Sequence, residues 1–87
     1  MPQSKAVSRA YAIRANKLKE LEAVCKTIQS SIDSLDDLKH QENIGKISKD
    51  IYYYKSKQIK LFISRKIKIS KSLKADVQHL NRSFGLK

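Results

Sequence analysis

Hydrophobic residues recur between residues 7 and 38 in alternating steps of three and four positions, with one interruption at Arg14. This spacing keeps the side chains on one face of a helix and is typical of coiled-coil packing. It predicts a first helix over about residues 3 to 40, with Ser4 as its N-cap. The row consists of Val7, Tyr11, Leu18, Leu21, Cys25, Ile28, Ile32 and Leu35, with Ala10, Val24 and Leu38 along one flank.

A turn is expected at about residues 41 to 46, where the periodicity lapses. Gly45 suits the left-handed backbone conformation that ends many helices. Ser48 and Asp50 then provide an N-cap and a first-turn acid for a second helix over about residues 46 to 80. The final glycine of the chain is expected to stop that helix and leave a short C-terminal tail.

An alternative break lies within the stretch SSIDSLDD. Ser30 with Asp33, and Ser34 with Asp37, both match a short-acid variant of the capping box that begins many helices. The chain would then contain three helices, with a short middle helix over about residues 34 to 43. The sequence leaves this alternative open.

The second half of the chain carries hydrophobic residues on more than one face. Ile51 and Tyr54 begin a heptad row that fails after Gln58 and resumes at Phe62 only if four residues are inserted. Such a stutter locally unwinds a coiled coil. On this interpretation Ile51, Tyr54 and Phe62 face the first helix.

A second row, formed by Ile59, Ile63 and Ile67, is left without a partner inside the chain. A helix that is apolar on more than one face is covered on more than one side. These three residues, together with Tyr53, are therefore predicted to form an oligomer or partner interface.

Residues 59 to 73 also alternate in the manner of a β-strand. Most odd-numbered positions there are apolar, and Phe62 is the only apolar residue at an even-numbered position. The stretch is too long for one ordinary strand, however, and no second strand is expected with which it could pair. A helix is favoured, and the strand stays open as an alternative.

Two glycines and one proline in 87 residues argue against barrels and sandwiches, which need frequent turns. The predicted fold class is all-α: a single helical domain built as a long antiparallel helical hairpin. Because the core of such a chain is small, we expect a homodimeric four-helix bundle or a hetero-complex with another protein. This plan is similar to that of plasmid-encoded RNA-binding helix-hairpin dimers, with which the chain shares no motif.

Nineteen basic and eight acidic residues give a formal net charge of +11. An excess of this size predicts an anionic partner, such as nucleic acid or an acidic protein. Residues 20 to 43 carry a net charge of −4, whereas residues 1 to 19 carry +5 and residues 44 to 87 carry +10. A turn at residues 41 to 46 would bring acidic and basic segments together and leave the open end of the hairpin strongly basic.

Phosphate contacts are accordingly expected near the open end and along the basic flank of the second helix. The predicted nucleic-acid-binding residues are Lys5, Arg9, Arg14, Lys17, Lys66, Lys68, Lys71, Lys74 and Arg82. Tyr52, Tyr53 and Tyr54 would point about 100° apart on a helix, so they cannot form one stacking platform for bases. Tyr54 is assigned to packing against the first helix.

Nothing in the sequence predicts catalysis. Cys25 lies on the apolar row and is expected to be buried, and a single cysteine suits a reducing cytoplasm. His40 and His79 fall at opposite ends of the hairpin and predict no metal site. We therefore expect a cytoplasmic, non-enzymatic nucleic-acid-binding protein for DNA or RNA, without cofactor, small-molecule substrate or membrane segment. The alternative is an adaptor or inhibitor that docks on an acidic protein.

Overall fold

The computed structural model describes residues 4 to 87 as two long helices joined by a short turn. Helix α1 spans Lys5–Asn43 and helix α2 spans Lys49–Phe84, and residues 4 to 87 contain no strand. The helices run antiparallel and form a rod that measures 67 × 15 × 14 Å. The prediction of an all-α antiparallel hairpin is confirmed.

The helix boundaries differ from the predicted ones by a few residues. Because α1 continues to Asn43 and α2 begins at Lys49, the turn occupies residues 44 to 48. The second helix continues to Phe84. Residue 3, the predicted start of the first helix, lies outside the described residues.

Serine caps fix where both helices begin. The hydroxyl oxygen of Ser4 accepts a hydrogen bond from the backbone N–H of Val7 at 3.2 Å. The hydroxyl oxygen of Ser48 accepts one from the N–H of Ile51, also at 3.2 Å. Each bond satisfies a donor that has no partner within its own helix, and both predicted N-caps are confirmed.

Glycines fix where both helices end. Gly45 has a φ of +80° and Gly85 a φ of +61°, the left-handed region that other residues enter only with strain. At the first stop, the N–H of Lys46 then donates to the carbonyl oxygen of Gln41 at 2.9 Å. This bond is typical of a Schellman motif, and both predicted helix stops are confirmed.

Helix α1 runs without a break through the stretch SSIDSLDD. The hydroxyl of Ser34 donates to the Ser30 carbonyl oxygen at 3.1 Å, and the Gln29 amide donates to the Asp33 carboxylate at 3.0 Å. These groups bond along the helix instead of capping a new one. The three-helix alternative is therefore excluded. Residues 59 to 73 lie within α2, which excludes the strand.

The face of α1 that packs against α2 follows a heptad pattern. Its main buried and half-buried residues are Val7, Ala10, Arg14, Lys17, Leu21, Val24, Ile28, Ser31, Leu35 and Leu38. Leu18, Cys25 and Ile32 were predicted to belong to this row but lie beside it and are exposed. The expectation that Cys25 is buried was therefore wrong.

The facing row of α2 is also an unbroken heptad pattern, and the two rows together are called the seam below. The α2 residues of the seam are Tyr52, Ser56, Ile59, Ile63, Lys66, Ser70, Leu73, Val77 and Leu80. The burial pattern shows no stutter at Gln58. Ile59 and Ile63 are half-buried in the seam, which corrects the interpretation that they lack a partner inside the chain. Ile67 and Tyr53 remain exposed, at 39% and 68%.

The apolar row that begins with Ile51 faces solvent instead of α1. Ile51, Tyr54 and Phe62 are 45%, 66% and 41% exposed, so the expectation that they pack against α1 was wrong. The reason is that two serines and a lysine occupy seam positions of α2. Helix α2 therefore carries apolar residues outside its buried row as well as within it.

The two seam serines of α2 are among the most buried residues of the hairpin. Ser56 and Ser70 are 4% and 7% exposed. Their hydroxyls donate to the carbonyl oxygens of Tyr53 at 3.1 Å and Ile67 at 2.8 Å, so burial leaves neither group unsatisfied. Their small side chains leave holes into which the larger seam residues of α1 can pack.

A single hairpin leaves much apolar surface uncovered. It exposes 6765 Å², whereas a compact chain of the same mass exposes about 5,200 Å². Ala10 and Leu73, 1% and 7% exposed, are the only hydrophobic residues that are fully buried within residues 4 to 87. The hairpin on its own therefore has a narrow core.

Replacing Leu73 by Ala tests the position of the seam. Leu73→Ala should lower the free energy of unfolding by about 2–3 kcal/mol, because it leaves a cavity between the helices. The matched control Leu61→Ala, at a position that is 47% exposed, should lower it by less than about 1 kcal/mol. Urea unfolding followed by far-ultraviolet circular dichroism measures both. Equal losses in the two variants would place the buried row of α2 elsewhere.

Candidate nucleic-acid interface

Three of the nine predicted nucleic-acid-binding residues lie in the seam, and Arg14 is the first. Its guanidinium donates to the side-chain oxygen of Asn81 at 2.8 Å and to the main-chain oxygen of Lys87 at 3.3 Å. The guanidinium carbon also lies 4.9 Å from the centre of the Tyr11 ring, a cation–π distance. Arg14 therefore ties the first part of α1 to the end of α2.

Lys17 is the second of these residues. Its Nζ donates to Oδ2 of Asp76 at 3.1 Å, and this is the only ion pair that joins the two helices within residues 4 to 87. The two side chains are 29% and 47% exposed. Because water screens such a pair, it contributes at most about 1 kcal/mol. It nevertheless fixes which residues of the two helices lie level with each other.

Lys66 is the third of these residues. It is half-buried, and its Nζ lies 5.3 Å from the centre of the Phe62 ring one turn earlier. A lysine at this depth buries the apolar stem of its side chain and carries the ammonium group outward. Like Arg14 and Lys17, it has a structural role that the charge pattern did not indicate.

The other six predicted residues are exposed, and they lie in three places. They are Lys5, Arg9, Lys68, Lys71, Lys74 and Arg82. Lys5 and Arg9 lie at the start of α1, at the open end of the rod. Lys68 and Arg82 are two positions from the nearest seam residue, which places them on the side of α2 that faces away from α1. Lys71 and Lys74 lie on one flank of α2.

The basic residues of α2 have no acidic partners. The helix contains ten Lys and Arg residues, and within residues 4 to 87 none of them has a carboxylate within ion-pair distance. The three ion pairs of the described chain use Lys17, Lys26 and Lys39, all on α1. The charge of α2 is therefore left to solvent ions or to a partner.

The register of the hairpin differs from the predicted one by about five residues. The ion pair between Lys17 and Asp76 and the position of Lys39 over the Tyr52 ring, 5.0 Å from its centre, fix this register. The turn at residues 44 to 48 is responsible, because it lies further along the chain than expected.

This shift spreads the positive charge along the rod. Lys68 and Lys71 now lie beside the acidic part of α1 rather than beside its basic start, whereas Lys74 lies at the boundary between the two, level with Leu18. Residues 4 to 19 and 75 to 87 together carry a net charge of +6, and residues 20 to 74 carry +5. The open end, which holds 29 of the 84 described residues, therefore keeps the greater charge per residue, and the longer remainder of the rod is basic as well.

Lys39 holds this register near the turn. Its Nζ donates to a carboxylate oxygen of Glu42 at 2.8 Å, and this hydrogen bond raises the pKa of Lys39 above its ordinary value. The ammonium group therefore stays charged where it lies over the half-buried Tyr52 ring. Tyr52, and not Tyr54, is thus the tyrosine that packs against α1.

Lys57, Lys60 and Arg65 belong to the same exposed basic surface of α2 but were not predicted. They were missed because the charge argument favoured the open end of the rod. The Nζ of Lys57 lies 6.0 Å from the ring centre of Tyr53, which is itself 68% exposed. This is one of two pairs of an exposed ring and a lysine on the described α2, the other being Phe62 with Lys66.

Other kinds of site receive no support from residues 4 to 87. No group of three or more His, Cys, Asp or Glu side chains there is placed to hold a metal ion. Neither helix, over its described length, is apolar enough to cross a membrane. Comparisons with protein-family models, with curated proteins and with solved structures found no match to this chain.

Removing the charge of Asp76 tests the contact between the helices. Asp76→Asn should lower the free energy of unfolding by about 0.5–1 kcal/mol, because Lys17 then keeps its half-buried charge without a carboxylate. Asp33→Asn, which loses the same charge away from the seam, should change it by less than about 0.5 kcal/mol. Thermal unfolding at low and high salt measures both, and the difference should shrink with salt. A difference that salt leaves unchanged would show that the ion pair does not contribute.

Proposed function

We propose that this chain is a small, non-enzymatic nucleic-acid-binding protein, an accessory or regulatory factor that contacts phosphates with little base specificity. The observation that carries this proposal is the set of ten basic residues on α2 without an acidic partner in residues 4 to 87. A protein that neutralises phosphates releases the counterions condensed on the nucleic acid, and this release favours binding. Both DNA and RNA meet this requirement.

The proposed contacts are the exposed members of the predicted set: Lys5, Arg9, Lys68, Lys71, Lys74 and Arg82. Arg14 and Lys17 are left out because their charged groups bind across to α2 or its C-terminal end, and Lys66 is left out because its side chain is half-buried at the seam. Lysine and arginine contacts with phosphates position a protein on a nucleic acid but do not read its sequence. Low base specificity follows from a surface of this composition.

A homodimeric four-helix bundle is part of this proposal. The hairpin exposes roughly 1,500 Å² more than a compact chain of its mass, and a second hairpin would cover part of that surface. The dimer would also double the number of basic residues on one particle. In the alternative, a different protein covers this surface in a hetero-complex.

A second candidate function is an adaptor or inhibitor that docks on an acidic protein. It is favoured by the outer side of α2, where Tyr54, Leu61, Phe62 and Ile69 are 41–66% exposed. Arg65 lies between these apolar residues and is also exposed. Aromatic residues and arginine are enriched in protein–protein interfaces. In this case the partner's acidic groups would take the place of phosphates.

Binding to random-sequence duplex DNA and single-stranded RNA at low and moderate salt tests the proposed function. We expect binding at low salt that weakens steeply as salt is added. Lys68→Gln combined with Arg82→Gln should reduce the slope of log affinity against log salt by about 2 for duplex DNA. Fluorescence anisotropy measures both quantities.

The matched control is Lys46→Gln combined with Lys49→Gln, which removes the same charge at the turn end of the rod. This control should reduce the slope by less than the Lys68 and Arg82 variant. Equal reductions would show that binding follows net charge and not the proposed residues. No binding to either nucleic acid at low salt would reject the proposal and leave the adaptor.

A further inference from the structure

One side of the hairpin combines exposed apolar residues from both helices. On α1 this side carries the exposed residues Leu18, Cys25 and Ile32 and the half-buried Tyr11, each four positions after a seam residue and so beside it on the helix. The corresponding row of α2 is Tyr53, Lys60, Ile67 and Lys74. A two-fold axis perpendicular to both helices relates two antiparallel helices. The row next to the seam on one helix therefore lies on the same side of the rod as the corresponding row on the other helix. The eight residues form one surface, which is called the cysteine face below.

The two rows of the cysteine face are matched in height along the rod. The contacts of Lys17 with Asp76 and of Lys39 with Tyr52 show which residues of the two helices lie level near each end of the rod. The pairs between them follow by interpolation. Cys25 is then level with Ile67, and Ile32 is level with Lys60. The face is therefore apolar on both helices at the level of Cys25, and Lys60 and Lys74 lie on either side of this centre on α2.

The cysteine face has the composition of a surface that is covered in a helix bundle. Leu18 is 46% exposed, and Ile32 and Ile67 are each 39% exposed. Helices that face the centre of a bundle carry apolar residues in the two seam rows and in one adjoining row. Helix α1 has this pattern, and its adjoining row is the cysteine-face row.

Charged residues of opposite sign border the two edges of the cysteine face. Glu22 and Asp36 lie on the α1 edge, and Lys57 and Lys71 lie on the α2 edge. Interpolation places Glu22 level with Lys71, and Asp36 within about half a turn of Lys57. Within one chain these edges lie on opposite sides of the rod, and none of the four residues forms an ion pair with the other helix. Glu22 contacts only Lys26 of its own helix, in an exposed pair at 3.3 Å.

We infer that a second copy of this chain covers the cysteine face, with α1 of each copy packed antiparallel on α2 of the other. The two-fold axis then runs parallel to the rod, between the two faces. Glu22 of each copy meets the partner's Lys71, and Asp36 meets the partner's Lys57. Four ion pairs thus border an apolar centre.

Charge selects this arrangement over the other two-fold packing of the same face. If α1 packed on α1 and α2 on α2, the acidic edges would lie together and the basic edges would lie together. Like charges in close contact oppose association. The uncharged residues of the two edges are also compatible with this arrangement. Gln29 on the α1 edge of one copy is level with Ser64 on the α2 edge of the other copy, and the two side chains can hydrogen-bond.

The α2 surface has a recess at the height of Ile32. Tyr53, Ser56, Lys57, Lys60 and Leu61 line a shallow pocket of about 340 Å³. In the proposed dimer the partner's Ile32 lies at the mouth of this pocket. The apolar stems of its two lysines can then pack against Ile32 while their ammonium groups reach the neighbouring carboxylate.

The cysteine face is large enough for a reversible dimer. Helix α1 advances about 42 Å between Tyr11 and Lys39, and the rod is 15 Å wide. The footprint is therefore roughly 600 Å² per copy, or about 1,200 Å² in total, at the lower end for specific interfaces. We expect association in the micromolar range.

This dimer does not depend on nucleic-acid binding. It engages Lys71 and covers Lys74, so these two residues contact phosphates only in the single hairpin, but it leaves Lys68 and Arg82 on the outward side of α2. It also brings the open ends of both copies, with Lys5 and Arg9, to the same end of the assembly. Measurements of self-association without nucleic acid therefore test the dimer alone.

Charge reversal on one edge tests the arrangement by sedimentation equilibrium. Glu22→Lys with Asp36→Lys makes both edges basic, and Lys57→Glu with Lys71→Glu makes both edges acidic. The dimer dissociation constant of each variant should rise at least tenfold, whereas an equimolar mixture should form a heterodimer as tight as the wild-type dimer. The variant with all four substitutions exchanges the two edges and should dimerise like the wild type.

The control for net charge is Asp33→Lys with Asp37→Lys, which adds the same charge to α1 outside the cysteine face. It should dimerise like the wild type, and circular dichroism should show this control and the equimolar mixture to be as helical as the wild type. Equal loss of association in this control and in the Glu22 and Asp36 variant would overturn the arrangement. So would single-edge variants that dimerise normally, or a wild-type chain that stays monomeric up to millimolar concentration.

Disulfide formation gives a second readout that leaves all four ion pairs intact. In a Cys25→Ser background, chains with Gln29→Cys and chains with Ser64→Cys should form a disulfide when mixed. Each chain alone should not, because the same residue of two copies lies on opposite edges of the interface. Gln78→Cys, four turns from Ser64 on the same edge, should not cross-link to Gln29→Cys. Disulfides between identical chains that form as fast as those in the mixture would contradict the arrangement.

Discussion

Two helices can bury only one stripe along each other, because every other direction around a helix faces solvent. In this chain the stripe is the seam, and it buries Ala10 and Leu73 while leaving most other seam residues half-exposed. The excess surface, the exposed apolar rows and the unpaired charge of α2 all follow from this limit. Residues 4 to 87 contain no third element that could cover this surface.

Several positions of the seam are occupied by small or charged residues, which limits the apolar surface that the seam buries. Ser56 and Ser70 bring the helices close without desolvating an unsatisfied group. Arg14 and Lys17 bind across to the end of α2 and fix the register instead of adding apolar burial. The large side chains that the seam does not contain, such as Phe62, lie on the outer sides of the rod. The same choice of residues that makes the single hairpin weakly packed makes its surface suited to association.

The fold could be predicted because its signals are local. Heptad spacing, serine caps and glycine stops act within one or two turns, and Ser48 and Gly45 lie where the pattern indicated. The seam could be predicted only in part, because Leu18 and Cys25 repeat with the same period as the true row and differ from it by one position. Periodicity gives the number of rows but not which of two adjacent apolar rows meets the other helix.

The candidate interface was harder to predict, because it depends on the register between helices and not on the sequence of either one. A turn that lies a few residues later moves Lys68 and Lys71 from the open end to the acidic part of α1. The exposure of each lysine also depends on its position relative to the seam, since Lys66 is half-buried in the seam whereas Lys68, two residues later, is exposed. Composition therefore indicated an anionic partner, but it could not identify which cations are free to meet one.

The central claim is that the hairpin depends on a partner that buries its exposed apolar surface. It is tested most directly by measuring mass and helicity together for the wild-type chain across a dilution series without nucleic acid. We predict a species of twice the 10.0 kDa chain mass that dissociates on dilution, with helicity falling as the mass falls. A fully helical chain of 10.0 kDa at every concentration would contradict this account, because the seam alone would then suffice to hold the hairpin together.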